Sequence, residues 1–66
     1  MDDLSDIFDS LLNGNRRQMA DQIDEYGLYD FWADMAQWLE EVYTSGALTM
    51  KAYTDMVVSY HRIRNR

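Results

Sequence analysis

The chain has 66 residues, with 12 Asp+Glu against 6 Lys+Arg, a formal net charge of −6, no Cys, no Pro and one His. That length allows one domain, 1–66, and the absence of Cys excludes a disulfide framework and any thiolate metal site. The longest run without a charged residue, Val42 to Met50, falls far short of the roughly 20 residues that cross a bilayer. The acidic start (Asp2, Asp3, Asp6) is the wrong flank for a targeting peptide, so the expectation is a small soluble cytoplasmic protein that needs no membrane.

Apolar residues recur at helical spacing, and strand-like alternation is absent. Over 3–13, Leu4, Ile7, Phe8, Leu11 and Leu12 follow the i, i+3, i+4, i+7, i+8 template. Asp2, Asp3 and Asp6 occupy the first turns, where carboxylates suit the positive end of the helix dipole. Asn13-Gly14 stops this helix, since glycine accepts the left-handed conformation beyond a cap.

A short helix is predicted over 16–26. Asn15 serves as N-cap, Gln18 completes a capping-box pattern, and Met19, Ala20, Ile23 and Tyr26 form its apolar stripe up to Gly27.

The third helix, 28–44, is the richest in apolar residues. At 100° per residue, Trp38, Phe31, Val42, Met35, Leu28, Leu39 and Trp32 share one arc, which Ala36, Tyr43 and Tyr29 extend. An arc approaching about 180° exceeds the roughly 100° of a surface helix and suits a central one with two neighbours. Asp30, Asp34 and Glu41 lie opposite, with Glu40 beside them.

Thr44-Ser45-Gly46 is expected to close that helix. The last one, 49–64, then opens with Thr49 as N-cap and Leu48 stapled onto Tyr53. Ala52, Tyr53, Met56, Val57, Tyr60 and Ile63 form its core stripe, and Arg62, Arg64 and Arg66 suit the dipole at its end. The fold class is therefore all-α, a bundle of three to four short helices. The three-helix variant merges the first two segments or reduces the second to one turn.

Charge is unevenly spread. Residues 1–44 hold 11 acids and 2 bases, a net of −9, whereas 45–66 hold 1 acid and 4 bases, a net of +3. Asp2, Asp6 and Asp9 share one side of the first helix, Asp21, Asp24 and Glu25 cluster on the second, and Asp30, Asp34 and Glu41 line the back of the third. Such faces can serve as a solvated shell, dock on a basic protein surface, or imitate the phosphates of a nucleic acid. Trp38 and Tyr29 stand at the two edges of the apolar arc and are the candidate anchors, because large rigid aromatics carry interface energy.

The remaining residues offer no chemistry. His61 falls on the outer side of the last helix, and no nucleophile–base arrangement, phosphate loop, calcium loop or zinc helix is present. Asp2, Asp3, Asp6 and Asp9 lack the loop geometry of calcium sites. The chain is expected to be no enzyme and to hold no cofactor or metal. Its few bases and net charge of −6 also argue against direct nucleic-acid binding.

In size, acidity, helicity and single-domain economy, the chain resembles as a class the small inhibitors that phages and mobile elements make, anti-CRISPR and anti-restriction proteins among them. The resemblance implies a stoichiometric inhibitor that blocks a basic, nucleic-acid-binding groove on a larger host protein or protein–nucleic acid complex. Its contact residues would be Asp6, Asp9, Asp21, Asp24, Glu25, Asp30, Asp34, Glu41, Trp38 and Tyr29. The alternative is a self-associating structural or regulatory adaptor. There a second copy would cover the wide arc of the third helix, and the acids would pair with Arg62, Arg64 and Arg66.

Overall fold

A computed structural model describes residues 3–43 and 45–65. Four helices run in order: α1 (Leu4–Leu12), α2 (Arg16–Tyr26), α3 (Leu28–Val42) and α4 (Gly46–Arg64), with no strand among the described residues. The expected all-α bundle is the fold. Asp2, Thr44 and Arg66 lie outside the described residues.

Side chains cap the first two helices, at Asp3, which the sequence marks only as a first-turn acid, and at Asn15, as expected. Asp3 caps α1 by accepting from the Asp6 backbone N–H at 3.0 Å, and the Asp6 carboxylate accepts in return from the Asp3 N–H at 3.5 Å. Asn15 caps α2 by accepting from the Gln18 N–H, but the expected capping box does not close: the Asn15 N–H donates to the Ser10 carbonyl at 2.9 Å, and the Gln18 side chain accepts instead from the Asn15 side-chain amide at 2.6 Å. Each cap satisfies an N–H that the helix leaves without an internal partner. Gly27 is both the last cap of α2 and the first of α3, at φ 111°, ψ 115°. Its N–H donates to the Ile23 carbonyl and its own carbonyl accepts from Phe31 N–H. A one-residue corner in the left-handed half of backbone space requires glycine here.

The start of α4 differs from the sequence expectation. The helix begins at Gly46, three residues before Thr49, and Ser45 rather than Thr49 is its N-cap. Thr49 sits inside the first turn, where its hydroxyl donates back to the Ser45 carbonyl at 3.2 Å. That is the alternative use of a Ser/Thr side chain, bonding the i−4 carbonyl instead of capping. Gly46 therefore opens a helix instead of closing one. Leu48 lies within the first turn, which rules out its staple onto Tyr53. At the other end, α3 stops at Val42, because Tyr43 is extended at φ −104°, ψ 134°.

The core is built from all four helices. Ile7, Phe8 and Leu11 of α1 meet Met19, Ala20 and Ile23 of α2, Phe31, Met35 and Leu39 of α3, and Met56 and Tyr60 of α4. Around it runs a chain of edge-to-face aromatics: Tyr26 on Phe31, Phe31 on Trp32, and Trp32 on both Tyr53 and Tyr60. Phe8 meets Trp38 and Tyr43 in the same geometry, and such pairs add about 0.5–1.5 kcal/mol each beyond area burial. One buried polar link crosses the core edge, with Ser10 Oγ donating to Gln22 Oε1 at 2.6 Å. The Cα radius of gyration is 11.0 Å, matching the roughly 11 Å of a compact chain this long.

The helices do not pack evenly. α2 and α3 each touch all three others, whereas α1 and α4 meet only lightly. The gap between them is an apolar groove of about 330 Å³, lined in part by Phe8, Leu11, Leu12 and Leu48. Leu12, the last residue of the α1 template, is consequently 66% exposed.

Candidate interaction surface

The ten candidate contact residues divide among three places. Asp6 and Asp9 of α1 border a polar cleft of about 440 Å³ whose other walls are Ser10 and the amides of Asn13, Asn15, Gln18 and Gln22. Asp6 is also committed to capping α1.

On α2, Asp21 and Asp24 are engaged within the chain. The Arg64 guanidinium lies 2.7 Å from Asp21 Oδ1 and 2.8 Å from Asp24 Oδ2, and also donates through Nε to Asp24. Tyr60 donates to the other oxygen of Asp24, and Arg64 stacks 5.8 Å from the Tyr60 ring centroid. The hydrogen bond to Asp24, with burial and the Asp24 charge behind it, raises the Tyr60 pKa above the ordinary tyrosine value. Hydrogen bonding to Asp21 first, and to Asp24, raises that of Arg64 in turn. Glu25 stands exposed beside this cluster in sequence.

The third place is the outer face of α3. Asp30, Asp34, Glu40 and Glu41 are all exposed, interspersed with the uncharged Ala33 and Gln37. None of the four has an ion-pair partner among the described residues. Asp34 accepts one hydrogen bond, at 2.6 Å from the Tyr26 hydroxyl, and this bond is the leading cause of the raised Tyr26 pKa. Carboxylates three or four positions apart on a helix repel by a few tenths of a kcal/mol per pair. Here no lysine or arginine on the helix relieves that repulsion.

The two aromatic candidates separate. Trp38 is half-buried, packed edge-to-face on Phe8 at 5.5 Å, and is part of the core margin. Tyr29 is 91% exposed, and its hydroxyl makes no hydrogen bond among the described residues. It stands at the start of α3, at the border of the acidic face.

Sequence reasoning missed the fate of Arg64. Its position in the last turn is consistent with complementing the dipole, yet it turns onto α2, 40 and 43 positions away in the chain. No periodic pattern encodes such a pairing. Arg16 and Arg17 of the first turn of α2 and Arg62 near the end of α4 likewise line one cleft, a meeting that no local pattern encodes.

No protein-family model matches the chain, and no curated protein or solved structure resembles it at a significant level.

Proposed function

We propose that the protein is a binding module, a stoichiometric inhibitor that docks the outer face of α3 on a basic, nucleic-acid-binding groove of a larger partner. Support comes from one observation: four exposed carboxylates on α3 without a cationic partner among the described residues, bordered by a tyrosine with 91% of its surface in water. Asp21, Asp24 and Asp55, by contrast, each have an arginine partner within the chain. An uncompensated stripe offers electrostatic complementarity to a positive groove and favours rapid, salt-sensitive association. Tyr29 supplies the apolar anchor at low entropy cost. The inhibitors of phages and mobile elements, anti-CRISPR and anti-restriction proteins among them, are the class in which such a mode of action would fall.

The test is capture of partners from nuclease-treated bacterial lysate on the immobilised protein, in parallel with the variant D30N/D34N/E41Q. A nucleic-acid-processing complex held by the native chain, released as salt rises and lost from the variant, supports the reading. Equal retention on both would refute it.

The self-associating alternative keeps only part of its support, since Leu28 and Val42 at the margin of the α3 arc and Arg62 on α4 remain exposed. Phe31, Met35 and Leu39 of the wide α3 arc are fully buried by the chain's own helices. Arg64 meets its acids within the same molecule.

A further inference from the structure

Three of the six basic residues converge where the turn between α1 and α2 meets the last turns of α4. Arg16, Arg17 and Arg62 line a cleft of about 440 Å³, completed by Gly14, Asn15, Ser59 and Ile63. The helix dipole of α2 does not explain this placement. Arg16 and Arg17 occupy the first turn of α2, which holds no acid, and cations there oppose the positive end of the helix dipole. A residue pair that violates a local rule marks a position held for another reason.

The surroundings prepare the arginines for an anion. Ser59, almost fully buried in the cleft wall, accepts from Arg16 Nε at 3.0 Å and donates to Asp55 at 3.2 Å, which fixes the guanidinium plane. Asp55 forms a long ion pair with Arg16, 3.9 Å from Nη2 and beyond hydrogen-bond length, so it offsets part of that charge and leaves Arg17 and Arg62 as the uncompensated cations of the cleft. The remaining N–H donors of Arg16 therefore have no acceptor among the described residues. Arg17 and Arg62 are exposed and have neither a hydrogen-bond nor an ion-pair partner among them. Guanidinium groups present forked donors that match the oxygens of a phosphate. A chain of net charge −6 opposes the approach of a run of backbone phosphates, so the cleft suits a single terminal phosphate, and its volume falls within the size range of small-molecule sites.

We propose that this cleft is a phosphate-binding site, taking the phosphate dianion of a small phosphorylated ligand or of a nucleic-acid end between Arg16, Arg17 and Arg62. It is separate from the acidic face of α3 and stands or falls independently of that reading.

The experiment is an NMR titration of the isotopically labelled full chain at constant ionic strength. The probes are inorganic phosphate, a 5′-phosphorylated oligothymidylate of four residues, and the same oligonucleotide with a 5′-hydroxyl. Saturable shifts confined to Gly14 through Arg17 and Ser59 through Ile63 with the first two probes, weaker with the third and absent with added chloride, are expected. A 5′-phosphorylated oligonucleotide that binds more tightly than inorganic phosphate assigns the site to nucleic-acid ends, and equal binding assigns it to free phosphate. The variant R17Q/R62Q, altered only at exposed positions and checked for an unchanged melting temperature, should weaken binding at least about tenfold. D30N/D34N/E41Q should leave it no weaker. Shifts that chloride reproduces, or that R17Q/R62Q leaves intact, overturn the proposal. So do shifts that depend on protein concentration alone, which would place a second copy's carboxylates in the cleft.

Discussion

The Tyr60 hydroxyl of α4 donates to Asp24 Oδ1 of α2 across 36 positions of sequence, while Arg64 Nε donates to Oδ2 of the same carboxylate at 3.0 Å. One acid thus gathers a phenol and a guanidinium from successive turns of a distant helix and clamps α4 onto α2. The arrangement turns two of the sequence-identified acids from contact candidates into parts of the scaffold. Replacing Tyr60 with Phe keeps the ring packing on Trp32 and removes only the hydroxyl. The expected loss is about 1–2 kcal/mol of unfolding free energy, read from urea denaturation, since Arg64 still accompanies Asp24. No change in midpoint would show the bond to be energetically idle.

The same clamp gives stability an alkaline limit. The folded-state pKa values of Tyr60 and Tyr26 are raised, chiefly by donation to Asp24 and Asp34 respectively. Below the ordinary tyrosine value of about 10 both states hold these protons and the contribution is fully present. As pH climbs past that value, the unfolded chain releases its phenolic protons first, so stability falls until the folded-state values are passed. Thermal melts between pH 8 and 11.5 should show this decline, and it should be smaller in Y60F than in the native chain. An equal decline in both would assign it to other groups.

Ser10 and Gln22 provide a separate test of polar burial. S10A leaves Gln22 Oε1 without its 2.6 Å donor in a buried setting, at an expected cost of about 1–3 kcal/mol. S10A/Q22L, which makes both partners apolar, should recover much of that loss. The double-mutant cycle measures the coupling directly. Additive losses would indicate that the two side chains do not depend on each other.

Phe31 and Tyr29, two positions apart on α3, should behave as opposites. Phe31 is fully buried and touches Tyr26 and Trp32, so F31A should cost about 3–5 kcal/mol. A 66-residue domain holds only about 3–10 kcal/mol in total, which leaves F31A largely unfolded at 37 °C by circular dichroism. Y29A should change stability by less than about 0.5 kcal/mol, as at other exposed sites, while weakening capture of the partner. Unaltered capture by Y29A would remove the tyrosine from the interface.

Much of the architecture is readable along the chain because it rests on local rules. The 3.6-residue period exposes the stripes that become the core, Asn15 caps where its spacing to Gln18 implies, and Gly14 and Gly27 mark corners at positive φ. Where a residue has two local uses, the sequence alone misleads. Thr49 has the chemistry of an N-cap and of an i−4 back-bond, and Gly46 that of a stop and of a first turn. Val42 and Leu12 match their apolar arcs yet remain exposed, since periodicity identifies a face without saying whether a neighbour covers it.

The candidate surface divides along the same line. That Asp30, Asp34 and Glu41 share the outer side of α3 follows from the pitch of a helix, and the sequence by itself determined it. Which acids stay uncompensated was decided only by tertiary structure. Arg64 reaches Asp21 and Asp24, Trp38 turns onto Phe8 while Tyr29 is left in water, and Arg16 and Arg17 meet Arg62 across one cleft. Helical periodicity is set by neighbours three and four positions apart. Charge pairing between helices depends on how whole helices pack, and no local pattern in the chain records that.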